Sequence, residues 1–176
     1  PQALTQMGKL LSGHDGAVEV TLGETQLFLS TGTTHLLSRR IEGPYVDYAQ
    51  VIPKENDKNL RVDINRLLPT VRRVSILSSS YTRQVRLKLD VSSIELSAAS
   101  PEIGGEAREQ IPASFDGEEM EIGYNAQFLM EILRKMDTQT VRFELNNNVT
   151  AALLKPDLIE EGEDYFCLLM PLRPTG

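Results

Sequence analysis

Residues 64–96 read INRLLPTVRRVSILSSSYTRQVRLKLDVSSIEL, and the hydrophobic period changes once within them. Ile64, Leu67, Leu68, Val71 and Val74 recur at helical spacing. They form one apolar stripe, which predicts an amphipathic helix over 64–77. From Val85 to Leu89 apolar residues alternate with Arg86 and Lys88, the period of a strand with one buried and one wet face. Ser92-Ser93 marks a turn into Ile94-Glu95-Leu96, and so short a connection favours an antiparallel hairpin. Asp63 stands where a side chain can cap the helix. Pro69 lies inside the helical run and should cost a hydrogen bond or a kink.

The same order recurs weakly on either side, the signature of an internal repeat. Upstream, a helix over Leu4–Leu11 leads to a strand at Val18–Leu22, a turn at Gly23-Glu24, a strand at Gln26–Leu29 and the run His35–Ile41. In the middle copy a third strand is expected around Ala107–Ile111. Downstream, Phe128, Leu129, Ile132, Leu133 and Met136 share one face of a helix over Ala126–Met136. Strands follow at Val141–Leu145, after the turn Asn146-Asn147-Asn148 at Val149–Leu154, and finally at Tyr165–Leu169. The polar stretch Pro53–Asn59 separates the first copy from the second. An extended segment, Pro112–Ile122, joins the second to the third. The fold class is α+β, helices on one face of curved antiparallel sheets, with a partial unit at 1–58 and a complete double unit at 59–176. A lone half unit leaves apolar faces uncovered and a sheet edge open, so the first unit expects a partner upstream. The start at Pro1 reads as a fragment or processed product.

Composition narrows the function. The 176 residues are 40% apolar and 24% charged, with a net charge of −7. Chemistry-bearing motifs are missing: there is no H-E-x-x-H, no glycine-rich phosphate loop and no G-x-S-x-G. His14 and His35 have no obvious partner, and Gly104-Gly105 is an isolated pair. The single cysteine, Cys167, excludes an internal disulfide and a cysteine-based zinc site. It sits between Phe166 and Leu168, where a buried, inert thiol is expected. The reading is of a chain that is not an enzyme and needs no cofactor or metal. No apolar run approaches the roughly 20 residues that span a bilayer, and a cytoplasmic protein is expected.

Charge is unevenly placed. The helix over 64–77 carries Arg66, Arg72 and Arg73 without an acid. The helix over 126–136 carries Arg134 and Lys135 against Glu131, and the first helix carries Lys9. The acids gather elsewhere, at Glu102, Glu106, Glu109, Asp116, Glu118, Glu119 and Glu121, and at Asp157, Glu160, Glu161, Glu163 and Asp164. Helices biased toward positive charge suit a polyanion that the remaining surface repels. The chain ends Leu168-Leu169-Met170-Pro171-Leu172-Arg173-Pro174-Thr175-Gly176. Termini are usually polar, and Pro171 cannot extend a sheet ladder. Met170 and Leu172 therefore suit a groove that accepts a peptide.

Several short motifs in order resemble the bacterial DNA polymerase III beta subunit family, the sliding clamps. They are Ile41-Glu42-Gly43-Pro44-Tyr45-Val46-Asp47-Tyr48 with Ile52-Pro53-Lys54, and Arg72-Arg73-Val74-Ser75-Ile76-Leu77-Ser78. Val85-Arg86-Leu87, Ser100-Pro101-Glu102, Glu119-Met120-Glu121-Ile122-Gly123-Tyr124-Asn125 and Met170-Pro171-Leu172-Arg173 complete the set. The resemblance implies a DNA-clamp fold, with 1–58 as the second half of a middle domain and 59–176 as a complete third domain. It implies a two-subunit, head-to-tail ring that encircles duplex DNA without reading sequence and tethers polymerase and clamp-loader subunits through short peptides. Carried over by position, the peptide pocket comprises Val46, Gln50, Val51, Thr82, Asn125, Phe128, Val149, Ala151, Leu168, Leu169, Met170, Pro171, Leu172 and Arg173. Val46 stands where proline is common, Gln50 where arginine is common and Thr82 where an aromatic can occur. The DNA-facing residues would be Lys9, Arg66, Arg72, Arg73, Arg134 and Lys135. The subunit interface would use Ile76 and Leu77, with Glu102 and Glu106 as acidic partners. The alternative class is a β-rich adaptor that binds peptides and encircles nothing.

Overall fold

The computed structural model describes residues 2–100, 102, 104–158 and 164–173. The chain divides into two compact units, Pro1–Asp47 and Tyr48–Gly176. The first holds helix α1 (Gln2–Leu11) and strands β1 (Glu19–Leu22), β2 (Gln26–Ser30) and β3 (His35–Arg39), an antiparallel sheet in the order β1-β2-β3. The β1–β2 turn is tight, Gly23 donating to the Gln26 carbonyl at 2.8 Å. Register places Val20, Leu29 and Leu36 on one face. Of this unit's apolar side chains only Met7 and Leu29 are buried among the described residues, whereas Val20 and Leu22 remain 57% and 65% exposed. Among the described residues this unit therefore leaves most of its apolar side chains exposed or half-buried. His35 does have partners: its Nδ1 lies 3.1 Å from Ser30 Oγ, and its ring stacks on Phe28 at 5.5 Å.

In the second unit, β4 (Lys58–Asp63) leads into α2 (Ile64–Val74), followed by β5 (Gln84–Asp90), β6 (Ser93–Ala99) and β7 (Glu106–Pro112). After the short β8 (Ser114–Phe115), β9 (Met120–Asn125) leads into α3 (Ala126–Leu133), β10 (Thr140–Leu145), β11 (Ala152–Pro156) and β12 (Cys167–Leu169). The repeat is therefore strand, helix and three strands. Neither leading strand is legible in the sequence, where 53–59 reads as a polar break and 112–122 as an extended connector. They exchange between the halves. β4 joins the five-stranded sheet β12-β11-β10-β4-β8, and β9 joins the four-stranded sheet β7-β6-β5-β9. Leu60 faces Phe143 across one junction, and Ile122 faces Leu87 across the other. Every one of these pairings is antiparallel.

One core fills this unit. Leu67 and Val71 of α2 and Leu129 and Leu133 of α3 pack with Leu60, Leu87, Leu96 and Phe143 of both sheets, all with 1% exposure or less. Each helix starts on a side-chain cap, which satisfies otherwise orphaned amides. Asp63 Oδ1 accepts from the Asn65 amide at 2.7 Å, and Asn125 Oδ1 accepts from Gln127 at 2.9 Å and Phe128 at 3.3 Å. α2 continues through Pro69 and ends at Val74, passing into a 3₁₀ turn at Ser75–Leu77. α3 stops at Leu133 rather than Met136, with Arg134 as its C-cap.

The unit boundary follows Asp47, whereas the sequence reading set it after residue 58. The intervening segment is bound to the second unit: Asn56 Nδ2 donates to the Glu144 and Ala151 carbonyls at 2.8 and 3.0 Å, and Asn146 Nδ2 donates to the Glu55 carbonyl at 2.7 Å. Pro1, Pro101, Glu160, Glu161, Glu163 and the segment Pro174–Gly176, all used in the sequence reading, lie outside the described residues. No helix among those described is long and apolar enough to cross a membrane.

Candidate functional site

Helical geometry puts residues three, four and seven apart on one face. From Phe128 that spacing selects Glu131 and Ile132, while Leu129 and Leu133 turn into the core; Lys135 follows in the turn after α3, its amide donating to the Ile132 carbonyl at 3.0 Å. Opposite them runs the segment from Cys167 to Leu172, and between the two walls lies a groove of about 470 Å³. The tail is held at two points. Leu169 of β12 pairs with Ala152 of β11, and beyond Pro171 the Leu172 amide donates to the Gly123 carbonyl of β9 at 2.8 Å. Pairing does stop at Pro171, but it resumes one residue later on the other sheet. The terminal segment therefore ties two sheet edges together. It leaves Met170 58% exposed, facing a Phe128 that is 56% exposed on the helix side.

Of the pocket residues named from sequence, Asn125, Phe128, Leu168, Leu169, Met170, Pro171 and Leu172 meet in this groove. Asn125 both caps α3 and donates through Nδ2 to the Thr82 carbonyl at 3.1 Å, which fixes Thr82 beside the groove's N-terminal end. Ala151 is buried ahead of β11, and its carbonyl accepts from Asn56. Val149 is exposed in a turn where Asn147 Oδ1 accepts from the Val149 and Thr150 amides at 2.9 and 2.8 Å. Gln50 lines a separate, more polar depression with Lys54, Asn56, Asn146 and Thr150. Val51 and Arg173 are exposed, and Val46 belongs to the first unit. Glu131, Ile132 and Cys167 line the groove without having been named for it; the Phe128 spacing could have found the first two. Cys167 corrects the expectation of a buried thiol. It is half-buried on the groove wall, 3.4 Å from Tyr165 Oη. That hydrogen bond, with some burial, pushes the Tyr165 phenol up to about 12.

The basic residues divide. Arg72 and Arg134 line one depression between α2 and α3, together with Asn65, Leu68 and Pro69. Arg66 is exposed on the other flank of α2, and Lys9 is exposed on α1. Arg73 is engaged. Its guanidinium bonds Glu109 of β7 at 2.5 and 3.1 Å and Thr70 Oγ1 at 3.0 Å. The bond to Arg73 holds the Glu109 carboxyl below the usual range and raises the arginine in turn. The acid-free helix of the sequence thus gains an acid from the neighbouring sheet. Lys135 stands on the groove side, away from Arg134.

The residues carried over to a subunit interface have local roles as well. Ile76 is 72% exposed and Leu77 half-buried. Glu102 accepts from the Ser80 amide at 3.2 Å and from the Ser79 and Ser80 hydroxyls, bonds that hold its carboxyl below the ordinary value. Glu106 pairs with Arg108 at 2.7 Å. The outer face of the four-stranded sheet interlaces charges: Lys88 meets Glu119 at 2.8 Å, and Arg108 lies 3.8 Å from Glu95. It is balanced rather than uniformly acidic.

Comparison with known proteins agrees with this architecture. Residues 49–173 match the family described as DNA polymerase III beta subunit, C-terminal domain. The beta sliding clamp of Pseudomonas putida is 32% identical over 98% of this chain and 46% of its own length. The crystal structure of the DNA polymerase III subunit beta from Pseudomonas aeruginosa, 29% identical, superposes with a TM-score of 0.84 over 98% of this chain and 47% of that one. The Bartonella birtlesii sliding clamp, solved bound to griselimycin, is 31% identical with a TM-score of 0.85 over 98% and 46%. The chain spans about half the length of the curated relatives it matches. With the family match running through β4 to the Leu172 bridge, the chain belongs to the DNA polymerase III beta subunit family.

Proposed function

We propose that this chain serves as part of a DNA replication processivity factor, a two-subunit head-to-tail ring around duplex DNA. It works in the cytoplasm as an accessory to a polymerase and catalyses nothing itself. The observation that carries the reading is the groove between α3 and the segment Cys167–Leu172, a largely apolar trough with one wall bonded to β9 through Leu172 and Gly123. A peptide from a polymerase or clamp-loader subunit docks there, and tethering raises that partner's effective concentration on DNA.

A sliding ring must hold DNA without gripping it. Topology supplies retention, and a few exposed cations supply weak, salt-sensitive attraction to phosphates without base readout. Arg66, Arg72 and Arg134 suit that role, whereas Arg73 is already engaged by Glu109. Ile76, Leu77, Glu102 and Glu106 form the edge that meets the second subunit in this reading. The test is loading of the intact protein on nicked circular DNA followed by linearisation. The protein should remain on circles, run off linear DNA, and lose capture of a polymerase peptide on Leu172→Ala. Equal retention on both DNA forms would leave a peptide-binding adaptor and no ring.

A further inference from the structure

Strand β7 turns one charge toward the core. Ala107, Glu109 and Ile111 take its inner side, and across from them on β6 stand Ala98, Leu96 and Ile94, all buried. Glu109 is the one carboxylate among those six. Helix α2 answers it. Buried Thr70 donates to Glu109 Oε1 at 3.0 Å, while Arg73 donates to both carboxylate oxygens, at 2.5 and 3.1 Å, and to Thr70 Oγ1 at 3.0 Å. The three side chains close a ring of hydrogen bonds between helix and strand. A second tie lies one turn on. Leu77 rests against Gly105, just ahead of β7, with its Cδ1 3.6 Å from the point where a side chain would start there. One helix and the turn after it therefore grip the strand at its start and near its middle.

We infer that Arg73 is a positioning residue for subunit association and not a DNA contact: with Thr70 and Glu109 it fixes β7 against α2, so that Ile76, Leu77 and Glu106 present one edge to the second subunit. The inference rests on the ring reading above and adds what holds the contact edge in register. Folding itself does not need the pair. α2 is anchored through Leu67 and Val71, both fully buried, and an ion pair as exposed as this one adds little to global stability. Alignment of the edge does need it. Among the described residues β7 bonds to a strand on one side only, β6, and a strand held on one side is freer to open than a central one. The planar guanidinium fork fixes direction as well as distance. A phosphate could claim Arg73 only by leaving the inward Glu109 and buried Thr70 without their partner, which costs free energy. Arg72, one residue earlier, lines the depression between α2 and α3 instead.

Sedimentation of the intact protein over a range of concentrations tests this. Arg73→Met and Glu109→Gln should each weaken self-association about fivefold, the scale of a partly exposed ion pair. The double variant should be no weaker than either, because the two side chains act as one unit. In hydrogen exchange the amides of 106–112 and 75–78 should open faster in Arg73→Met, while β10 and β11 keep their protection and so report an intact fold. On linear duplex, where closure cannot retain the protein, Arg73→Met should keep the salt slope of DNA association and Arg72→Met should lower it by about one. Additive effects of the two substitutions, unchanged self-association, or a slope lowered by Arg73→Met would overturn the assignment and leave the ring reading standing. A protein that stays monomeric at every concentration would overturn the ring reading and this inference together.

Discussion

Tyr124 buries its whole ring against Phe143, centroids 6.5 Å apart, yet its hydroxyl has no hydrogen-bond partner among the described residues. Burial drives its phenol well above the ordinary value, so it stays protonated and unserved. A buried polar group left unpaired costs about 1–3 kcal/mol. Tyr124→Phe should therefore raise unfolding free energy by about 1 kcal/mol in urea titration; an equal loss would mean that the hydroxyl is satisfied in solution. Glu109 works in the opposite direction. Hydrogen bonding from Arg73 depresses its carboxyl, as the Asn59 amide does for Asp116 and the Ser80 amide for Glu102. A carboxyl depressed in the folded state stabilises the fold above its unfolded value of about 4.3, and that contribution vanishes as pH falls through the folded value. Glu109→Gln should lower stability at pH 7 and flatten its decline between about pH 5 and pH 3. An unaltered acid profile would show that the Arg73 pair contributes nothing measurable.

At the scale of elements, the exchanged leading strands explain both the core and what the sequence concealed. β5, β6 and β10 alternate cleanly because each has one buried and one wet face. β4 reads Lys58-Asn59-Leu60-Arg61-Val62-Asp63, only two apolar residues joined to a polar break, so it merges with that break. β9 carries Ile122, Gly123 and Tyr124 buried in succession, because the Gln84 side chain lies over the face of Gly123 and Leu172 bridges its edge; alternation fails where distant segments supply cover. The candidate groove was half legible for the same reason. Phe128 and the terminal run are local patterns, whereas the separation of Gln50 from them and the engagement of Arg73 by Glu109 arise from contacts far apart in sequence. The Leu172 amide is the element-scale hinge of the site. Leu172→Pro removes that donor and unpins the terminal segment from β9. Peptide capture should fall further than with Leu172→Ala, while unfolding free energy drops by only about 1 kcal/mol, one hydrogen bond. A large loss of stability instead would make the tail part of the core.

Across the whole molecule the two units differ in self-sufficiency. Residues 48–173 contain both halves of a repeat, so each sheet receives a strand from the other half and a shared core forms behind α2 and α3. Residues 2–47 contain α1 and three strands only, with Val20 and Leu22 exposed on β1, whose sole partner among the described residues is β2. In the second unit the corresponding strand, β10, has β4 on its far side. Burying Met7 and Leu29 alone cannot offset the conformational entropy of ordering such a segment, about 1–2 kcal/mol per residue for the backbone. The exposed stretch 40–47, without helix or strand, is also open to proteases. Limited trypsin digestion of the intact chain should therefore leave a resistant product beginning at Ile41, after Arg40, the one tryptic site in that stretch. That product should unfold in one cooperative transition, with amide protection concentrated in β4, β5, β9 and β10, while a peptide of residues 1–47 should give the sharp, poorly dispersed NMR spectrum of an unfolded chain. Rapid loss of that product, or a dispersed spectrum from the short peptide, would mean that stability is not built from exchanged strands within one unit.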